Sequence, residues 1–108
     1  MYSLNSVQIE GKATNVCKIH VTSTNNTIAT FTISHTRTYK VHDEYKKEIS
    51  YFLIEAWGEE AMLAKDKIKF GVQVKIEGRL KQDRWTSDSG ESLSRIKIMA
   101  ETITIQGE

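Results

Sequence analysis

The chain has 108 residues, which is the usual length of one folded domain. Its 39% hydrophobic and 27% charged residues are typical of a globular protein rather than a disordered one. No apolar stretch approaches the roughly 18 residues of a transmembrane helix. The single cysteine excludes an internal disulfide, and residues 1–7 do not resemble a signal peptide, so we expect an intracellular protein. A net charge of +1 by itself indicates no particular partner.

Alternation of apolar and polar residues predicts strands along the first third of the chain. Residues 7–21 keep one parity, which predicts a first strand whose polar side chains face solvent. Asn25 and Asn26 predict a hairpin turn, because asparagine tolerates a positive φ. The second strand is expected to begin near Ile28. Its inward-facing residues are Ala29, Phe31 and Ile33.

The middle of the chain changes its pattern twice. Residues 40–48 show no consistent period and many charges, which predicts a loop. Ile49 to Trp57 alternates again and predicts the third strand. From Gly58 to Lys69 acidic residues precede basic ones, which suits a helix dipole and predicts one short helix. Gly71 stands where a C-terminal cap is expected.

The last third predicts two more strands. Residues 72–81 alternate strictly, with Leu80 among the inward positions, and residues 87–90 predict a turn. A fifth strand runs from Leu93 to Ile105, and its parity slips between Ala100 and Ile103, which indicates a bulge or a bend. Three strands, a helix and two strands are the element order of the OB-fold. We therefore expect an all-β fold with one short helix, a five-stranded Greek-key barrel, as a single domain over residues 1–108.

Residues capable of catalysis form no catalytic constellation. The three histidines lack the spacing of metal ligands, and no nucleophile elbow or phosphate-binding glycine loop is present. Cys17 shares the parity of apolar neighbours, which indicates a buried and unreactive thiol. We therefore expect no enzyme, no cofactor and no metal site.

Aromatic residues beside basic ones are more informative. Four of them lie where parity or context leaves them outside the core: Tyr39, Tyr51, Trp57 and Trp85. Such rings stack on unpaired bases, although Tyr51 and Trp57 also fit a second small core against a neighbouring subunit or helix. Residues 65–85 carry seven basic and three acidic side chains, a local +4, whereas residues 86–108 carry two and four, a local −2. The sequence therefore favours a nucleic-acid groove. Its basic residues are expected to be Arg37, Lys40, Lys75, Arg79, Lys81 and Arg84.

Several segments together carry a family resemblance: Asn5–Gly11, Ile28–Phe31 with Ile33, Ile54–Gly58 with Ala61, Val74–Leu80, Trp85 and Asp88–Gly90. Over its whole length the chain resembles the OB-fold domain of the bacterial-type single-stranded DNA-binding proteins, most specifically from Gly71 to Gly90. The resemblance implies that the aromatic residues at positions 39, 51, 57 and 85 stack on bases. It also implies sequence-independent binding and protection of single-stranded DNA in replication, recombination and repair. The expected assembly is a homotetramer, a dimer of dimers formed through first strands. The expected location is the cytoplasm, in association with the nucleoid.

Three features depart from the family pattern. Residues 12–15 lack the usual Asp-Pro turn, and Tyr39 and Tyr51 stand where tryptophan is common. The sequence ends at Glu108 without the acidic tail through which the family docks its partners, so the resemblance does not predict such docking here. A trimmed chain and a tailless member from a plasmid, phage or organelle both fit this ending.

Two other function classes share the fold. A replication-restart accessory protein of the primosomal type acts mainly through protein partners and would place fewer aromatic residues in the groove. An OB-fold nuclease would need clustered carboxylates or a metal site. Four candidate stacking residues favour the DNA-binding class over both.

Overall fold

The computed structural model describes residues 3–15 and 17–107. Within them lie six strands and one α-helix. In chain order they are β1 (Val7–Ala13), β2 (Lys18–Val21), β3 (Thr27–Val41), β4 (Glu44–Trp57), α1 (Glu59–Lys67), β5 (Gln73–Thr86) and β6 (Ser92–Ile105).

The strands form one sheet that closes on itself. Its order is β1-β5-β6-β4-β3-β2, and β1 also pairs with β3 through Lys12 and Ser34 and through Ala13 and Ile33. The β4–β6 pair is parallel and the other pairs are antiparallel. Closure gives the small barrel of the OB-fold, and the predicted fold class is confirmed.

The core lies inside this barrel because every second strand residue points inward. Phe31 and Ile33 of β3, Ile54 of β4, and Val74 and Ile76 of β5 are almost completely buried. Helix α1 closes one end. Ala61 and Ala64 of the helix, and Ile68 directly after it, are buried against the barrel core. The Glu60 carboxylate also accepts the backbone N–H of Ile103 at 2.9 Å, which ties the helix to β6.

The predicted first strand over residues 7–21 is wrong in one respect, because it is two strands. Ala13 lies opposite Ile33, whereas Lys18 lies opposite Thr30. The segment that joins β1 to β2 therefore advances five positions while β3 advances three, so it contains two extra residues. An even number of extra residues breaks the pairing without changing the parity. The alternation in the sequence therefore continues across the break, which includes position 16, outside the described residues.

The predicted loop over residues 40–48 is also wrong. It is the tip of a long β3–β4 hairpin in which Val41 pairs with Glu44 around a two-residue turn at His42 and Asp43. Both turn residues have positive φ, 50° and 65°, as tight hairpin turns require. This ribbon projects beyond the barrel with both faces exposed, so no hydrophobic alternation marks it.

Helix α1 is shorter than the predicted span of residues 58–69. It ends at Lys67, and the next residue, Ile68, is in extended conformation while its N–H still bonds to the Ala64 carbonyl. Gly71 is therefore not the cap. It takes a φ of 89° in the following turn, where the Val72 N–H bonds to the Lys69 carbonyl.

The β5–β6 hairpin confirms both features predicted for it. The turn at residues 87–90 is present, and Gly78 pairs with Ala100 while Glu77 pairs with Thr102, which leaves Glu101 as the extra residue of a bulge. Leu80, however, is exposed rather than part of the core. The reason is that β1 pairs with β5 only as far as Gly78, so Leu80 has no β1 residue beside it. Beyond the pairing of β6 with β4 at Ile98, β5 and β6 continue as a two-stranded arm.

Candidate nucleic-acid interface

Three neighbouring strands turn their outward side chains to one continuous surface. In the β4–β6 pairing Glu55 lies beside Met99, and Arg79 of β5 lies opposite Met99 on the other side. Residues that alternate with the buried positions share this face. We call it the outer face. Its members are Tyr51, Leu53, Glu55 and Trp57 of β4, Leu93, Arg95, Lys97 and Met99 of β6, and Arg79, Lys81, Asp83 and Trp85 of β5.

The outer face brings together three of the four predicted stacking residues. Tyr51 is 66% exposed, Trp57 44% and Trp85 45%. Large apolar rings are normally withdrawn from water, so three exposed ones on one sheet face indicate a binding surface. A groove of about 590 Å³ is lined by Trp57 together with Arg79 and Lys81, two of the predicted basic residues.

Trp85 stands at the β5–β6 arm beside a cation that sequence analysis did not select. The guanidinium of Arg95 lies 5.9 Å from the centre of the Trp85 ring, on the same pleat. Arg84 pairs with Ser94 and points to the opposite pleat, so the structure does not bring it to the outer face. The arginine beside the Trp85 indole is therefore Arg95, and the predicted Arg84 lies on the other pleat.

Tyr39 and Arg37 lie on the opposite pleat of the β3–β4 hairpin from Tyr51. Tyr39 pairs with Lys46, and it lies five positions after Ser34, the partner of Tyr51, an odd offset that places it on the other pleat. The Arg37 guanidinium lies 5.2 Å from the centre of the Tyr39 ring, and it approaches a Glu48 carboxylate oxygen at 3.8 Å. These two residues form a local pair apart from the outer face.

Lys75 lies on the outward pleat of β5 but nearer to β1. It is opposite Glu10 of β1 and Thr104 of β6, and its ammonium contacts the Glu77 carboxylate at 3.4 Å. Lys75 lies four positions before Arg79, on the β1 side of the β6 bulge, so it borders the outer face. Its charge is partly balanced by Glu77.

Tyr45 continues the line of exposed aromatic residues and was missed by sequence analysis. It lies six residues before Tyr51, which lies six residues before Trp57, so all three share the outward pleat of β4. Tyr45 is 75% exposed, and the ammonium of Lys40 lies 5.6 Å from the centre of its ring. The six-residue spacing of Tyr45, Tyr51 and Trp57 is visible in the sequence. It indicates a shared face only if residues 44–48 form a strand, and their pattern predicts a loop.

A buried ion cluster lies at the centre of the outer face, and nothing in the sequence pointed to it. The Lys97 ammonium contacts a carboxylate oxygen of Glu55 and one of Asp83, each at 2.7 Å. Burial alone would lower the pKa of Lys97, but its hydrogen bonds to Asp83 and Glu55 outweigh burial and raise that pKa. The hydrogen bond from Lys97 lowers the pKa of Asp83. Lys97 and Asp83 are therefore charged at neutral pH.

Cys17 and the potential metal ligands are the remaining reactive groups in the part of the chain that the structure describes. Cys17 is half-buried rather than fully buried, and its thiol donates to the Ala64 carbonyl at 3.4 Å. Burial raises the pKa of this thiol to about 11. Residues 3–15 and 17–107 contain no group of three or more potential metal ligands. Over the same residues no helix is long and apolar enough to cross a membrane.

Known proteins resemble this chain over nearly its whole length. The chain is 29% identical over 107 residues to a single-stranded DNA-binding protein of Treponema pallidum, covering 99% of this chain and 60% of that protein. For the single-stranded DNA-binding protein of Aquifex aeolicus the identity is 30% over 103 residues, with 94% and 69% covered. The chain thus spans only 60% to 69% of the length of these relatives.

The fold has a counterpart among solved structures. A Plasmodium falciparum SSB complex with ssDNA superposes with a TM-score of 0.87 over 97% of both chains, at 16% sequence identity. The family model of the single-strand binding protein family matches residues 4–106. These findings confirm the resemblance inferred from the sequence: the chain belongs to the single-strand binding protein family.

Proposed function

We propose that residues 1–108 form one domain that binds and protects single-stranded DNA without regard to base sequence and without catalysis. The observation that carries this proposal is the clustering of Tyr51, Trp57 and Trp85, all exposed, with Arg79 and Lys81 on the outer face. The names of the bacterial relatives and of the superposed complex support the same ligand. Replication, recombination and repair in the nucleoid are the processes in which such a domain would act.

Binding would combine two kinds of contact. Bases stack on the exposed rings, and phosphates approach the neighbouring arginine and lysine side chains. Because every base has a π-face, stacking tolerates any sequence. Tyr45 with Lys40 would extend the path along the β3–β4 hairpin. A preference above about 100-fold among mixed sequences of equal length would contradict this mode of binding.

The alternative of a protein-docking module is less well supported. Such a module would not need aromatic rings interleaved with cations on one sheet face. Here Trp57 shares a groove with Arg79 and Lys81, and Trp85 carries Arg95 over its ring. This interleaving favours an unpaired nucleic-acid strand over an acidic or apolar protein surface.

Assembly through β1 is a second part of the proposal. On one side β1 pairs with β5 from Val7 to Lys12, but on the other it pairs with β3 only at Lys12 and Ala13. The edge from Val7 to Gly11 can therefore receive a strand of a second copy. We expect a homotetramer built from dimers. Sedimentation that shows a monomer at micromolar concentration would contradict it.

Substitution of the exposed rings tests the assigned site. Trp57→Ala and Trp85→Ala should each weaken oligo-dT binding by about 1–3 kcal/mol, the usual contribution of one stacked base. Met62→Ala, at an exposed apolar residue of α1 that does not line the groove, is the control and should bind like the parent. If both tryptophan variants also bind like the parent, the DNA site lies elsewhere.

A further inference from the structure

Lys97 occupies an unusual place for a lysine on a DNA-binding surface. Its side chain is 7% exposed although it points to the outer face, and among the described residues it is the only buried residue that is polar or charged. Glu55 of β4 and Asp83 of β5 flank it, so it links the strands on both sides of β6. Both contacts measure 2.7 Å, the distance of strong charge-assisted hydrogen bonds.

Glu55 uses its two carboxylate oxygens for two different donors. Oε1 accepts from the Lys97 ammonium at 2.7 Å, and Oε2 accepts from the indole N–H of Trp57 at 2.8 Å. The first contact fixes the carboxylate, and the fixed carboxylate holds the indole by its nitrogen. One side of the ring system is thereby anchored while the ring stays open to the groove.

Removal of the ammonium would undo this arrangement. Glu55 and Asp83 would then face one another as like charges without a cation between them, and Glu55 would turn toward water. The indole of Trp57 would lose its anchored acceptor. A ring that is free to rotate must be ordered when a base stacks on it, and that ordering weakens binding.

We propose that Lys97 is a positioning residue for base binding, which acts through Glu55 to hold the Trp57 indole in its stacking orientation and does not itself contact DNA. This proposal rests on the proposed function of the outer face. It differs from the role of Arg79 and Lys81, because the Lys97 ammonium is already engaged by two carboxylates and has almost no exposed surface to offer a phosphate.

The first test measures the indole in the free protein. In a Trp85→Phe background Trp57 is the only tryptophan of the chain. Lys97→Met should lower the fluorescence anisotropy of Trp57 and increase its quenching by acrylamide. Lys65→Met, the same change at an exposed lysine of α1, should alter neither. An unchanged Trp57 signal in folded Lys97→Met would overturn the proposal, and this outcome does not depend on DNA binding.

The second test is a double-substitution cycle in oligo-dT affinity. With Trp57 present, Lys97→Met should weaken binding roughly fivefold, a fraction of what one stacked base contributes. With Trp57→Phe, whose ring lacks the N–H, the same substitution should have almost no effect. An equal loss in both backgrounds would show that Lys97 does not act through the indole and would overturn the proposal.

Salt dependence separates positioning from phosphate contact. The slope of log K against log salt should be the same for Lys97→Met and the parent, whereas loss of a phosphate contact would flatten it by about 0.7. A flattened slope would therefore contradict the assigned role. A parent protein that fails to bind oligo-dT while its Trp57 responds to Lys97→Met would instead contradict only the proposed function.

Glu55→Gln provides a variant that keeps the size of the side chain if Lys97→Met does not fold. An amide has a single oxygen, so it cannot offer separate acceptors to Lys97 and Trp57. The same loss of affinity and of Trp57 anisotropy is expected. Wild-type values for both quantities in this variant would overturn the proposal.

Discussion

At the scale of single residues, the DNA site proposed on the outer face would combine two kinds of contact that respond differently to salt. Basic side chains that contact phosphates release counterions, whereas stacked rings release none. Arg79→Gln and Lys81→Gln should each flatten the salt dependence of oligo-dT binding by about 0.7 in log K against log salt. Trp57→Ala should leave the slope nearly unchanged. Isotherms at four salt concentrations measure this, and a slope lost in Trp57→Ala but kept in Arg79→Gln would reverse the assigned roles.

Cys17 gives a second prediction at this scale. A pKa of about 11 in place of 9.0 reduces the thiolate fraction at pH 7 about 100-fold, and the thiolate is the nucleophile. Iodoacetamide should therefore modify Cys17 much more slowly in the folded protein than in urea, and the native rate should keep rising up to about pH 11. Equal rates in the two states at pH 7 would show that the thiol is not protected.

Residues of the site differ in how far sequence could identify them. Trp57 and Trp85 were found because strict alternation in β4 and β5 fixes which residues leave the core. Lys97 could not be found, because its neighbours Ile96 and Ile98 give no sign of a buried charge, and its partners come from two other strands. Contacts between distant segments have no local signal in a single sequence.

At the scale of elements, the same argument explains the errors in the strands. Alternation reports only a strand with one buried face, so the core parts of β3, β4 and β5 were predicted well. The tip of the β3–β4 hairpin has two exposed faces, so its sequence pattern predicts a loop where the structure has strands. The break between β1 and β2 keeps its parity and was therefore not visible. Backbone pairing decides both features, and it leaves little trace in the side chains.

The bulge of β6 gives a prediction for the β5–β6 element. A Cβ added at Gly78 would lie 1.9 Å from the Met99 carbonyl oxygen, a clash with backbone that no rotamer change relieves. Gly78→Ala should therefore cost about 3 kcal/mol in the free energy of unfolding, the upper end for overpacking.

Gly90→Ala is the matched control for this substitution. Gly90 has a φ of +87° but open space around it, so alanine there should cost only about 1–2 kcal/mol. Urea denaturation of both variants measures the difference. A Gly78→Ala protein as stable as Gly90→Ala would show that the bulge relaxes easily.

At the scale of the whole molecule, a closed barrel supports two projecting hairpins, and exposed rings lie on both. Tyr45 and Tyr51 lie on the β3–β4 hairpin, Trp85 lies on the β5–β6 arm, and Trp57 lies at the barrel beside the groove. The barrel holds the strands in fixed register, so the rings are placed before DNA arrives. A DNA strand bound across this surface would contact rings on the β3–β4 hairpin, at the barrel and on the β5–β6 arm.

The most direct test of this account is a titration of intrinsic fluorescence with oligo-dT. Both tryptophans of the chain lie exposed on the outer face, so a single strand that stacks there should quench the emission strongly and to saturation. Duplex DNA of the same length, whose bases are already stacked, should change the emission little. Emission that oligo-dT leaves unchanged, or that duplex DNA quenches equally, would contradict the account.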